Sequence, residues 1–181
     1  MANTYTLIEK ISVGAAGASS VTFTSIPQTY TDLLLVTSLR EATTNSGVLK
    51  VTFNGSATGY TARELVGNGT SPYSDTNYGS TFYGTEGSTN ASNSTASTFT
   101  NTSWYIPNYT SSNYKSISTD SAYENNATFG LQVLSAGLWS NTAAITSITL
   151  TGSQGNLAQY STAYLYGVAN SSTNPSTSSA P

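Results

Sequence analysis

Apolar and polar side chains alternate with a period of two along most of this chain, the pattern of half-buried strands rather than of helices. Tyr5, Leu7, Ile11 and Val13 share one parity against Thr4, Thr6, Ile8, Lys10 and Ser12, which predicts a first strand running into the turn GAAGASS. Val21 and Phe23 alternate with Thr22 and Thr24 in a second, short strand. Ile26-Pro27 closes it, because proline has no N–H for a ladder. Asp32 to Arg40 is apolar on both faces for four residues, as a central strand requires. After the polar turn EATTNSG, residues 48–53 predict another strand, ended by Asn54-Gly55, two residues that accept φ > 0.

The middle of the chain is less regular. TARELV, residues 61–66, reads as a turn or two of helix between glycines. From Gly67 to Ser97 hardly an aliphatic side chain occurs, and Tyr73, Tyr78, Phe82 and Tyr83 punctuate a run of Ser, Thr, Asn and Gly. So long a loop in a compact domain is functional or disordered, and its aromatics predict an exposed docking loop. Phe99, Trp104, Tyr105 and Ile106 restart the core, and Pro107 stops that strand. Residues 116–123 and 128–134 predict two more strands, with SAGLWSN, residues 135–141, as the following turn.

The clearest pattern lies between Ala143 and Ala169. Ile148 and Leu150 alternate with Thr149 and Thr151, turn residues follow at 152–156, and Tyr164, Tyr166 and Val168 then alternate with Ala163, Leu165 and Gly167. This predicts a β-hairpin. Its second arm carries apolar groups on both faces, so Tyr164 and Tyr166 are expected to seat against a neighbour such as another subunit. Together these elements predict an all-β antiparallel sandwich of about eight strands, jelly-roll-like and almost without helix. Residues 1–169 are expected to form one domain, and 170–181 a loose tail.

Composition narrows the function. Only 7% of residues are charged, against roughly 25% in average soluble domains, yet thirteen Tyr, five Phe and two Trp argue for a folded chain. The net charge of −3, with five scattered Lys and Arg, leaves no basic stripe, so no nucleic-acid partner is expected. No apolar run approaches the ~20 residues of a membrane helix. The opening MANTYTLIEK has neither the basic region nor the apolar run of a signal peptide, so synthesis in a cytoplasm is expected.

Histidine and cysteine are both absent. That excludes Ser-His-Asp and Cys-His nucleophiles and the usual zinc, haem and copper ligand sets. The carboxylate pairs left for glycoside hydrolysis are Asp120 with Glu124 and Asp75 with Glu86, and on an extended strand the first pair stands about 13 Å apart. Asp75, Asn77 and Glu86 match no calcium-loop spacing. The Asn-x-Ser/Thr sequons follow from Ser/Thr abundance, and GNG at 67–69 lacks the lysine and helix of a phosphate cradle. No catalytic residue, metal or cofactor is expected. The suggestive side chains are aromatic: Tyr73, Tyr78, Phe82, Tyr83, Tyr164 and Tyr166 are candidate interface or glycan contacts, with Tyr105 and Tyr109 as further glycan-facing candidates.

Three stretches carry a family resemblance: TYTLIEKISVGAAGASSVTFTSIPQTYTDLLLV, WYIPNYTSSNYKSIS and GLWSNTAAITSITLTGSQGNLAQYSTAYLYGV. Together spanning much of the chain, they resemble small virion structural proteins of tailed bacteriophages, particularly those of marine bacteria and cyanobacteria. The resemblance implies a β-sandwich on the particle exterior, as a capsid decoration or head-fibre protein, or alternatively a tail-fibre or baseplate module binding host polysaccharide. It implies a homotrimer or other symmetric homo-oligomer, with major capsid or tail proteins as partners and the virion as location. No catalytic or binding residue comes with it.

Overall fold

The computed structural model of the chain describes residues 4–76, 80–126 and 129–169, with 85–88 described by backbone alone. Twelve strands carry it: β1 (Tyr5–Ser12), β2 (Val21–Phe23), β3 (Asp32–Leu39), β4 (Gly47–Phe53), β5 (Tyr60–Gly67), β6 (Pro72–Thr76), β7 (Tyr83–Thr89), β8 (Thr100–Ile106), β9 (Lys115–Glu124), β10 (Gly130–Trp139), β11 (Ile148–Gly152) and β12 (Thr162–Val168). They form two antiparallel sheets, one of eight strands in the order β1-β12-β3-β8-β9-β10-β5-β6 and one of four in the order β2-β11-β4-β7.

This order is a jelly roll with two insertions. First pairs with last (β1 with β12), second with second-last (β2 with β11), and so inward through β3 with β8 and β4 with β7. Folding that long nested hairpin over itself places β1-β12-β3-β8 in one layer and β2-β11-β4-β7 in the other. The inserted strands β5-β6 and β9-β10 lengthen the first layer beyond β8. Eight strands make the jelly roll proper and four extend it; the strands expected at 116–123 and 128–134 are β9 and β10 of the extension, whereas β7 of the jelly roll falls in the stretch expected as a loop.

The two inner faces supply a core of Phe23, Leu33, Leu35, Val51, Phe53, Trp104, Leu150 and Leu165, all buried. At its far end Tyr60 and Trp139 stack 6.1 Å apart, with Phe53 of the opposite sheet 5.4 Å from Trp139. The Tyr60 hydroxyl accepts the Phe53 N–H at 2.9 Å and so ties the two layers together. Beneath the extension the inner face is hydroxyl-rich. Thr102 and Ser121 share a hydrogen bond of 2.9 Å, and Thr119 and Ser135 are buried beside them.

Several expectations are corrected. The segment 143–169 is not a hairpin: β11 lies in the four-stranded sheet between β2 and β4, whereas β12 lies in the eight-stranded sheet between β1 and β3. The connector between them crosses from layer to layer, pinned by buried Leu157, which bridges to both Ala18 and Glu41. TARELV is not helical but strand β5, because pairing to β10 and β6 on either side outweighs the helix propensity of its residues. SAGLWSN is no turn: Ser135–Trp139 completes β10. The first strand switches parity at a bulge between Leu7 and Glu9, which turns Ile8 inward beside Ile11.

The stretch 67–97 is not one long loop, since β6 and β7 run through it. β7 is the edge of the smaller sheet, and it lies over β9 and β10 of the larger one. The tail 170–181 lies outside the described residues.

Candidate interaction surface

The outer face of the eight-stranded sheet is where the sequence leaves apolar side chains without cover. Strand register fixes two neighbouring rows across it. One runs Leu7, Tyr166, Leu34, Tyr105 from β1 to β8 and continues through Ser118, Ala136, Arg63 and Thr76 to β6. The next runs Lys10, Tyr164, Val36, Ser103 and continues through Asp120, Leu134, Leu65 and Ser74. Alternation explains the placement, because Leu33, Leu35 and Leu165 point inward and their neighbours must point out.

Two apolar areas result. Around the aromatic half, Tyr5 and Leu7 are 55% and 50% exposed. The Tyr164 and Tyr166 rings stack at 6.5 Å, and the Lys10 ammonium sits 5.3 Å from the Tyr164 ring centre. Tyr105 donates its hydroxyl to Asp32 at 2.6 Å, and that hydrogen bond, first among the causes, pushes the phenol up to about 12. On the other half, Leu65 and Leu134 are directly paired across β5 and β10 and are 52% and 53% exposed. With Arg63, Ala136, Ser118 and Ser74 they line a shallow groove. The two leucines form a contiguous apolar strip, and apolar surface that extends over several hundred Å² marks interaction sites.

The candidate aromatics do not gather in one place. Tyr164 and Tyr166 stand half-buried on the outer face. Tyr73 is on β6, at the opposite edge of the same sheet, registered with inward-facing Val66. Phe82 precedes β7 and lies 5.3 Å from the Lys50 ammonium on the smaller sheet. Tyr83 is a correction: its ring is fully buried against Gly137, and its hydroxyl bonds Thr119 at 2.6 Å and Ser135 at 2.9 Å. It fills the core where β7 crosses the larger sheet and offers no surface. Tyr109 is likewise buried, donating its hydroxyl to the Pro27 carbonyl. Tyr78 lies outside the described residues.

Outer residues that sequence reasoning left unassigned are Leu7, Leu34, Leu65 and Leu134. Their parity was readable, but which sheet face lacks a covering layer was not.

The charged side chains bond mainly to backbone and amide groups. Arg40 donates to the carbonyls of Ser94, Thr95 and Thr98, and buried Lys115 donates to those of Ser111 and Asn113. Burial pushes the Lys115 amine below its ordinary range. Asp120 accepts from the Gln132 amide and Glu124 from the Asn126 N–H. These two carboxylates lie on one strand at a separation of about 13 Å by strand rise, wider than the ~5–10 Å of glycosidase pairs. Among the described residues no group of three or more carboxylates could hold a metal ion, and no helix is long and apolar enough to cross a membrane. Of the sequon asparagines, Asn90 is fully buried. Comparison with protein-family models, with curated proteins and with solved structures finds no match to this chain.

Proposed function

We propose that the chain is a non-enzymatic structural protein of a bacteriophage virion, carried on the particle exterior as a capsid decoration or head-fibre protein. One observation carries this reading: a jelly roll whose larger sheet presents an open row of tyrosines and leucines. Double-sheet jelly rolls recur in viral capsid proteins and also in lectins, so the fold alone does not choose between them. The arrangement of the aromatics favours assembly over sugar binding. They lie in rows on a broad sheet, suited to another protein surface, while Tyr73 and Phe82 stand far from Tyr164 and Tyr166. The resemblance to phage virion proteins supports the setting.

Mass spectrometry of gradient-purified virions of the encoding phage tests the proposal. The chain is expected among the abundant particle proteins. Its absence from infectious, purified particles overturns the reading. Release of reducing sugar from host polysaccharide, lost on Glu124→Gln, would replace it with an enzyme.

A further inference from the structure

We propose that two copies of this chain pair face to face through the outer surface of the eight-stranded sheet. The two-fold axis runs along the strands, between β8 and β9. The inference takes from the proposed function only that this face is a contact surface; it does not depend on where the protein resides.

Edge-to-edge growth of the sheet is blocked at both ends. On β6, Pro72 has no N–H to give and the Asp75 carboxylate takes the Thr76 N–H at 2.6 Å. On β1, the bulge between Leu7 and Glu9 breaks the ladder, and exposed Glu9 and Lys10 charge it. The face remains. Residues 1–3, 77–79, 127–128 and 170–181 contain no run of apolar side chains suited to this face.

A second copy fits by area and by pattern. Eight strands at ~4.8 Å spacing and about seven residues at ~3.3 Å rise give a footprint of roughly 900 Å², against ~800 Å² per partner in a stable interface. The two-fold superposes the aromatic half of one copy on the leucine half of the other. Tyr164 meets the partner's Leu65, Val36 meets the partner's Leu134, and Tyr166 meets the partner's Arg63, ring against guanidinium. Ser103 meets the partner's Asp120 and can donate to it. Lys10 meets the partner's Ser74, so no like charges face each other. Sheets stacked this way keep their strands within about 30°, which a two-fold along the strands allows.

Sedimentation equilibrium on the full chain tests the pairing. The expected mass is twice 18.8 kDa. Val36→Lys and Leu134→Glu alone should each weaken pairing by about 100-fold or more, since every change occurs twice per dimer. Combined in one chain, they place opposite charges across both symmetry-related contacts and should restore the dimer. Far-UV circular dichroism and thermal melts establish that each variant is folded; Tyr166→Ser, a milder change, should also weaken the dimer. A monomeric or trimeric wild type at roughly 100 µM overturns the proposal. So does a dimer indifferent to both single changes, or a folded double variant that stays monomeric. A failed dimer leaves the virion assignment standing, because virion composition is read separately.

Discussion

Tyr60→Phe removes one oxygen atom from the place where the two sheets are tied. In the native chain that oxygen accepts the Phe53 N–H at 2.9 Å and donates to the Ser56 carbonyl at 3.3 Å. Both Tyr60 and Phe53 are fully buried, so water cannot replace the lost acceptor. The ring itself stays, and with it the stacking on Trp139 and the contact with Phe53 at 6.0 Å. The cost is therefore that of one unsatisfied buried donor, about 1–3 kcal/mol. For a chain of this size it corresponds to a fall in Tm of roughly 2–12 °C. Thermal unfolding followed by circular dichroism measures it, with urea unfolding to check that the slope m is unchanged. Tyr60→Leu should cost more, because two aromatic contacts of about 0.5–1.5 kcal/mol each go as well. A Tyr60→Phe variant as stable as wild type would refute the reasoning.

Gly137→Ala should destabilise by about 1–3 kcal/mol in the same assay, since a Cβ there meets the Tyr83 ring at 2.5–3.0 Å and that ring is anchored by its hydroxyl. Gly14→Ala, with nothing within 4 Å, is the matched control and should leave Tm unchanged. Arg40→Gln should raise amide exchange across residues 94–98, because the guanidinium holds three carbonyls of that loop; exchange rates equal to wild type would refute this. Alkaline pH should destabilise the fold. Burial pushes the Tyr60 and Tyr109 phenols up, and the Asp32 hydrogen bond pushes Tyr105 to about 12. Their contribution is complete below the unfolded tyrosine value of about 10 and is lost as pH rises through the folded values. Lys115 acts oppositely, its lowered folded value favouring stability above about 10.4. Three groups against one predict a net decline between pH 10 and 12, and a flat urea midpoint over that range would contradict the accounting.

Where aliphatic side chains set the alternation, the fold was legible. Asp32–Leu39 is central and Val21–Phe23 is short, as their side-chain patterns predict, and the many short strands separated by Gly, Asn and Ser turns mark an antiparallel sandwich. Asn54-Gly55 makes the turn its dipeptide predicts, with φ of 53° and 67° and the Ser56 N–H on the Phe53 carbonyl. The reading failed where buried positions hold hydroxyls. Thr119 and Ser135 face inward on the Tyr83 hydroxyl, and Thr89, at the other end of β7, is buried on the Glu41 carboxylate; with such polar partners inside, β7 resembled loop in composition. Adjacent Phe82 and Tyr83 could not be told apart by pattern, though one is at the surface and the other in the core. The 143–169 segment failed for another reason: β12 pairs with β1 and β3, and pairing so remote in sequence leaves no local trace. The contact face shares that limit, because alternation tells which residues lie together but not which side lacks a covering layer.

Electron cryo-microscopy of the virion tests the central claim most directly. The predicted result is density for this two-sheet sandwich on the outside of the particle, with the eight-stranded face turned against another copy. Particles without such density, or with that face turned to bulk solvent, would contradict the account.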